Sequence, residues 1–214
     1  FVADTGNNCI RRVDKDGTVT TVAGQCGEEN IGSNDGSSGE ARFARPSGIT
    51  VHYSWSKVYN ITPGALVLFA ADTDNHRIRR IDCIQGVSEK YRTPGCNTTV
   101  TCWAGRCGNG TFSYTLTKMK ASVAPGFADG PGDVARFDSP RGIEADDEGV
   151  VFVADTNNHL IRGINQSGWV FTLAGKIAVQ EADEYGRPVP GCPPPCIKGV
   201  PGWEDGPLTD AQFY

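Results

Sequence analysis

The stretch Phe152–Asn165, FVADTNNHLIRGIN, decides the architecture because it occurs three times. Its other copies are FVADTGNNCIRRVD from Phe1 and FAADTDNHRIRRID from Phe69. Alignment puts Asp4, Asp72 and Asp155 in one slot and Asn7, Asn75 and Asn158 in another. Ile10, Ile78 and Ile161 share a third, and Arg11, Arg79 and Arg162 a fourth. Two further blocks recur in the same order. TVTTVAG (18–24), TVTCWAG (99–105) and WVFTLAG (169–175) follow the first block. After a spacer of variable length come DGSSGEARF (35–43), DGPGDVARF (129–137) and DGPLTDAQF (205–213). The first two of these run on into RPSGI (45–49) and SPRGI (139–143). Such recurrence marks a repeat architecture, in which each unit buries its apolar surface against its neighbours.

Each repeat reads as four short strands bounded by turn residues. Strand A is GITVHY (48–53) or GIEADD (142–147), and strand B is LVLFAAD (66–72) or VVFVAD (150–155). Strand C is CIRRVD, RIRRID or LIRGIN, and strand D is the TVTTVAG block. The B strands are nearly all apolar, as expected of a strand buried on both faces. Strands C and D alternate more, as expected nearer an outer edge. Asp16-Gly17 and Ser167-Gly168 are tight hairpin signals between C and D. Four antiparallel strands per unit, repeated, is the pattern of a β-propeller blade.

The Pro-x-Gly-Ile start, the Val-Ala-Asp-Thr-x-Asn-x-x-Ile-Arg core and the closing Ala-Gly resemble NHL repeats over about two-thirds of the chain. The Asn-His-Leu triplet behind that family name stands here as Asn158-His159-Leu160. The resemblance implies an all-β chain of NHL-type propeller blades, about three of them, four-stranded and antiparallel. NHL propellers are commonly six-bladed and serve mostly as binding platforms for proteins, RNA or sugars. Blade 1 contributes strands B to D over 1–24, blade 2 spans 45–105 and blade 3 spans 139–175. Insertions fall at 52–64, 83–98, 106–126 and 176–202. Propellers close at about four to eight blades, and an arc leaves edges that invite pairing. The expectation is therefore part of a larger ring or assembly, completed by the same chain or by other copies. A plain head-to-tail copy would lack about thirteen residues, including strand A, by the Phe137-to-Phe152 spacing.

Composition narrows the function. The 27 Gly and 13 Pro of 214 residues argue for many turns and against a helical protein. No apolar run approaches the ~18 residues that cross a bilayer, so no transmembrane segment is expected. The net charge of −5 counts against nucleic acid, whose phosphates require clustered Lys and Arg. Arg11-Arg12 and Arg79-Arg80 are each followed within two residues by Asp. Eight Cys lack any Cys-x2-Cys knuckle and do not cluster with the three His, which disfavours zinc. With four sequons, at Asn60, Asn97, Asn109 and Asn165, they point to the secretory route and to an extracellular or cell-surface location. Covalent N-glycans are expected on both faces, more of them on the face of the A-to-B turns.

The C-to-D hairpin places Cys9 opposite roughly residue 24, which predicts a Cys9–Cys26 disulfide. Cys83 and Cys96 flank an insertion and are placed to staple its neck. Cys192 and Cys196 enclose three prolines, and their pairing stays open. Cys102 and Cys107 remain. Cys107 matches Cys26, but Arg77 holds the slot of Cys9, which leaves the partner of Cys107 open.

Asp4, Asp72 and Asp155, in turns shared with Asn7, Asn75 and Asn158, resemble catalytic or metal carboxylates only until their repetition is noticed, because an active site is normally built once. Asp and Asn side chains that bond nearby backbone N–H groups fix turns. The repeated arginines are expected to pair with carboxylates between blades. His76 and His159 read as turn residues, and 144–149 lacks the alternating oxygen ligands of a calcium loop. Trp55 and Tyr59, in an insertion, are candidates for exposed contact. No nucleophile-and-base set is visible, so no catalytic residue, metal site or cofactor is assigned. The expected function is a non-enzymatic structural, adhesion or assembly module, in a fibre or surface scaffold. Its partner would be another protein or further copies of itself through blade edges. The alternatives are a secreted propeller hydrolase or lyase with an axial metal, and a ligand- or RNA-binding NHL platform.

Overall fold

The computed structural model describes residues 1–53, 66–84, 97–107, 125–180 and 196–214. Its strands fall into three antiparallel blades. Blade I is β1 (Val2–Asp4), β2 (Cys9–Val13) and β3 (Val19–Ala23), in that order. The short β4 (Gly36–Ser37) then leads to blade II, which contains β5 (Pro46–Tyr53), β6 (Leu66–Asp72), β7 (Arg77–Ile84) and β8 (Asn97–Ala104). The equally short β9 (Gly130–Pro131) leads to blade III, with β10 (Pro140–Ala145), β11 (Val151–Asp155), β12 (Leu160–Ile164) and β13 (Trp169–Ala174). A separate hairpin joins β14 (Ile177–Gln180) to β15 (Cys196–Gly199).

β4 and β9 were not legible as strands. Each belongs to the linker that enters a blade, and each adds a fifth strand to the outside of that blade: β4 on β8, and β9 on β13. Two-residue strands suffice because they satisfy the backbone of an otherwise bare outer edge.

The described strands also reach into three of the expected insertions. β5 runs to Tyr53, β7 to Ile84, and β8 begins at Asn97, so the ends of 52–64 and 83–98 are paired. Within 176–202, Ile177 faces Gly199 and Gln180 faces Cys196 in register. Gly199 lies so close to the Asn158 carbonyl that a Cβ there would stand 1.8 Å from it. A segment pressed that tightly against a blade must bond its own backbone, and a hairpin does so.

The core forms in sheets between blades. β6 is buried along its whole length, and its side chains alternate between two clusters. Leu66, Leu68 and Ala70 pack with Ile10, Val22, Ala41 and Phe43 of blade I and its linker. Val67, Phe69 and Ala71 pack with Phe137, Ile143, Val151 and Val153 of blade III and its linker. A strand sandwiched on both faces carries no polar side, which explains the unbroken apolar run LVLFAAD. β11 is flanked by a blade on one face alone. There Val151, Val153 and Asp155 are buried, and Phe152 and Ala154 are half-exposed.

Candidate functional site

The Asp-Thr-x-Asn turns and the repeated arginines come together as joints between blades. In blade II the Arg79 guanidinium is fully buried. Its Nη1 donates to Asp72 Oδ2 at 2.9 Å and to the Arg42 carbonyl at 2.9 Å. Its Nη2 donates to Asp35 Oδ1 and to the Asn34 carbonyl, both at 2.7 Å. Blade III repeats the pattern. Arg162 bonds Asp155 at 2.7 Å, Asp129, and the carbonyls of Arg136 and Ala128. Arg79 lies over the Phe43 ring at 5.0 Å, and Arg162 over Phe127 and Phe137 at 4.7 and 5.1 Å. The planar fork of Arg satisfies two carboxylates and two carbonyls at once, which Lys cannot do.

The acids do more than hold their own turns. Asp72 Oδ1 accepts from the Ala44 N–H at 2.8 Å, and Asp155 Oδ1 from the Asp138 N–H at 2.7 Å. Asn75 and Asn158 donate to those same acids and to the carbonyls of Gly32 and Gly126. These partners lie on the incoming linker, so the side chains form a socket for it rather than a local backbone cap. The threonine faces the other way. Thr5 Oγ1 donates to the Pro46 carbonyl and Thr73 Oγ1 to the Pro140 carbonyl, each at 2.8 Å. Asp and Asn thus hold the linker that enters a blade, and Thr holds strand A of the next one.

The left-handed residue after each Asn completes the joint. Asn8 Oδ1 accepts from the Arg45 N–H at 2.9 Å, and His76 Nδ1 from the Ser139 N–H at 3.0 Å. Burial holds the His76 pKa below its ordinary value, against the pull of Asp138 at 3.7 Å. The neutral ring is the form that leaves Nδ1 able to accept. Burial likewise pushes the Asp155 carboxyl up to about 6, opposed by Arg162, the Asn158 amide and the Asp138 N–H. Asp72 is raised for the same reason.

The closing glycines attach each linker to the blade it leaves. Gly24, Gly105 and Gly175 all have positive φ, and their N–H groups donate to Ser38, Gly132 and Leu208. A Cβ on Gly105 would stand 2.6 Å from the His76 carbonyl. Only glycine takes both the conformation and the space.

The same residues of blade I meet no linker among the described residues. Asp4 takes its hydrogen bonds from Asn7 at 3.0 Å and meets Arg11 at 3.5 Å. The Arg11 side chain is 28% exposed where its two counterparts are 0%.

Cys9 and Cys26 are disulfide-bonded, with Cα atoms 5.1 Å apart. Cys102 bonds Cys107, five residues on, so the bridge stays within one strand end, and Arg77 in the slot of Cys9 is not part of it. Cys83 is also disulfide-bonded, and none of the described cysteines is free. Cys96 and Cys192 lie outside the described residues, as do Asn60, Asn109, Trp55 and Tyr59. Cys196 and Asn97 are placed by their backbones, at the starts of β15 and β8. Asn165 is half-buried in the β12–β13 turn, where its Oδ1 accepts from the N–H groups of Ser167 and Trp169. Among the described residues, no three His, Cys, Asp or Glu side chains converge on a metal-sized site. No helix there is long and apolar enough to cross a membrane.

The fold and the joints define a class, the β-propeller built from Asp-Thr-x-Asn blades. The NHL repeat pattern itself matches residues 137–164, the Phe137 linker end through β12. NHL repeat-containing protein 2 is 29% identical over 171 residues in Homo sapiens and over 170 residues in Gallus gallus. Each alignment takes in 76% of this chain, which spans 18% of the length of those relatives. The chain is similar to NHL repeat-containing proteins and carries the NHL pattern in its third blade. Among solved structures, it is similar to an auxiliary nutrient binding protein from Bacteroides thetaiotaomicron, with a TM-score of 0.45 and 23% identity. That match covers 78% of this chain and 32% of the other. A second auxiliary nutrient binding protein, from Bacteroides ovatus, matches with a TM-score of 0.41 and 14% identity, over 100% and 53% of the two chains.

Proposed function

We propose that this chain is a non-enzymatic, extracellular assembly module, N-glycosylated and disulfide-stapled, that works through its blade edges and loops in a fibre or surface scaffold. One observation carries the reading: Cys9–Cys26 and Cys102–Cys107 are disulfide-bonded, and none of the described cysteines is free. The charged groups that converge elsewhere are consumed in holding blades together. The disulfides suit an oxidising compartment. At Asn165, the side-chain Nδ2 makes no hydrogen bond among the described residues and is available to carry a glycan.

Mass spectrometry of native material tests this reading. The expected result is carbohydrate at Asn165 that peptide N-glycosidase removes, together with no titratable thiol before reduction. Bare sequons and free cysteines in that material would defeat it.

A further inference from the structure

The outer rim of blade III departs from the rims of the other two blades at four matched positions. They lie on the side of the outer strands opposite Val19, Val100 and Val170. On blade I that side carries the Arg12–Asp14 ion pair beside Thr18 and Thr20. On blade II it carries the Arg80–Asp82 pair beside Thr99 and Thr101. Blade III puts Gly163, Asn165, Trp169 and Phe171 in those places. The ion pair is gone, a sequon asparagine stands in the slot of the acid, and two aromatics replace two threonines.

This rim stays open even where a blade follows. Thr99 and Thr101 are exposed, and Arg80 and Asp82 half-buried, although blade III comes after blade II. The 50% exposure of Trp169 is therefore a property of its slot. The aromatics are held in place. β13 is paired with β12 on one side and with β9 on the other, where Trp169 faces Pro131. The Phe171 ring lies so close to Gly163 that no Cβ fits there, and it covers the backbone where the other blades carry an arginine.

Asn165 closes a turn directly against Trp169. Its N–H donates to the Trp169 carbonyl at 3.0 Å. Its Oδ1 accepts from the N–H groups of Trp169 and Ser167, both at 3.0 Å, and from Ser167 Oγ at 2.7 Å. Residues opposed in this way carry their Cβ atoms about 4.5–5.5 Å apart on one side of the hairpin. With Oδ1 fixed on those donors, Nδ2 is the end of the amide turned away from them.

We infer that the first N-acetylglucosamine of a glycan on Asn165 lies on the exposed face of the Trp169 indole, with Phe171 continuing that surface. This rests on the N-glycosylation reading above and names the surface the sugar occupies. A pyranose turns C–H groups of partial positive charge toward the negative face of an aromatic ring. The covalent link holds the sugar at high effective concentration beside the indole, so a weak contact suffices. The sugar in turn covers an aromatic that otherwise stands in water. Asp14 and Asp82 cannot carry an N-glycan, and their rims hold no aromatic in the matching slots.

The test is a cycle on the 214-residue chain secreted from N-glycosylating cells, with its glycans trimmed to one N-acetylglucosamine. Wild type, Trp169→Phe and Trp169→Ala are each compared with and without Ser167→Ala, which removes the Asn165 sequon. The other three sequons are the same in every sample and cancel. In the wild type, the sugar on Asn165 is expected to raise the thermal midpoint by about 2–4 °C. Its ring protons are expected to shift upfield under the indole in the NMR spectrum of labelled sugar. Trp169→Phe is expected to keep part of both effects and Trp169→Ala to lose both. Sugar on Asn165 that gives Trp169→Ala the full midpoint gain, or whose protons resonate alike in wild type and Trp169→Ala, overturns this inference alone. A mass spectrum showing Asn165 bare in the wild type defeats the glycosylation reading and this inference with it, so the two failures are distinct.

Discussion

At the residue scale, the same Asp–Arg pair stands in two environments within one chain. Arg79 and Asp72 are both fully buried, and Asp35 adds a second carboxylate. Removing one member of a buried pair leaves an uncompensated charge, at about 3–5 kcal/mol, whereas a part-exposed pair contributes about 1 kcal/mol or less. Arg79→Ala is therefore expected to lower the unfolding free energy in urea by about 3–5 kcal/mol at neutral pH. Arg11→Ala is expected to cost under about 1 kcal/mol. Equal losses would show that burial does not set the strength of the joint. Asp155 makes the same point through pH. Its pKa is raised to about 6 by burial, while the unfolded chain titrates near 3.8. Between those values the native state holds a proton that the unfolded state has released. The stability from this group is thus fully present below pH ~4 and is lost as pH rises through about 6. Relative to Asp155→Asn, the wild type is expected to lose on the order of 3 kcal/mol between pH ~4 and ~7. A difference that stays constant with pH would contradict it.

At the element scale, Pro-x-Gly-Ile opens strand A in blades II and III, and its glycine meets different neighbours in the two. A Cβ on Gly48 would lie 2.2 Å from the Arg141 carbonyl, because β10 of the next blade crosses there. A Cβ on Gly142 meets only the Ala154 methyl, at 3.4 Å. Gly48→Ala is expected to destabilise by about 2 kcal/mol through backbone overpacking, and Gly142→Ala to be neutral within about 0.5 kcal/mol. Thermal unfolding of the two variants side by side checks this, and a Gly142→Ala loss as large as that of Gly48→Ala would refute it. The contrast also shows what a motif conveys. The repeated glycine announces close approach, but the neighbour it makes room for belongs to the following repeat. The strands themselves were legible, β6 to the residue, because a doubly buried strand has no polar side. β4 and β9 were not, since two residues containing glycine carry no periodicity.

At the scale of the whole molecule, the joint is the unit of organisation. Blades II and III are each completed by a linker from the blade before, which adds the outer strand and the second carboxylate of the buried arginine. Three spaced Asp-Gly-x4-Ala-x-Phe segments were visible as repeats, yet their carboxylates were not seen as the partners of the arginines. The signal was present in their constant spacing to the phenylalanine and in charges of opposite sign recurring once per repeat. What the chain determined by itself was the blade, because strand period, turn chemistry and repetition act over a few neighbouring residues. Only the tertiary structure decided which carboxylate reaches which arginine, since those partners are brought together from 44 and 33 residues apart. It also decided which copies of the joint are buried and which stand in water, because burial belongs to the blade next door and not to the residue that carries the charge.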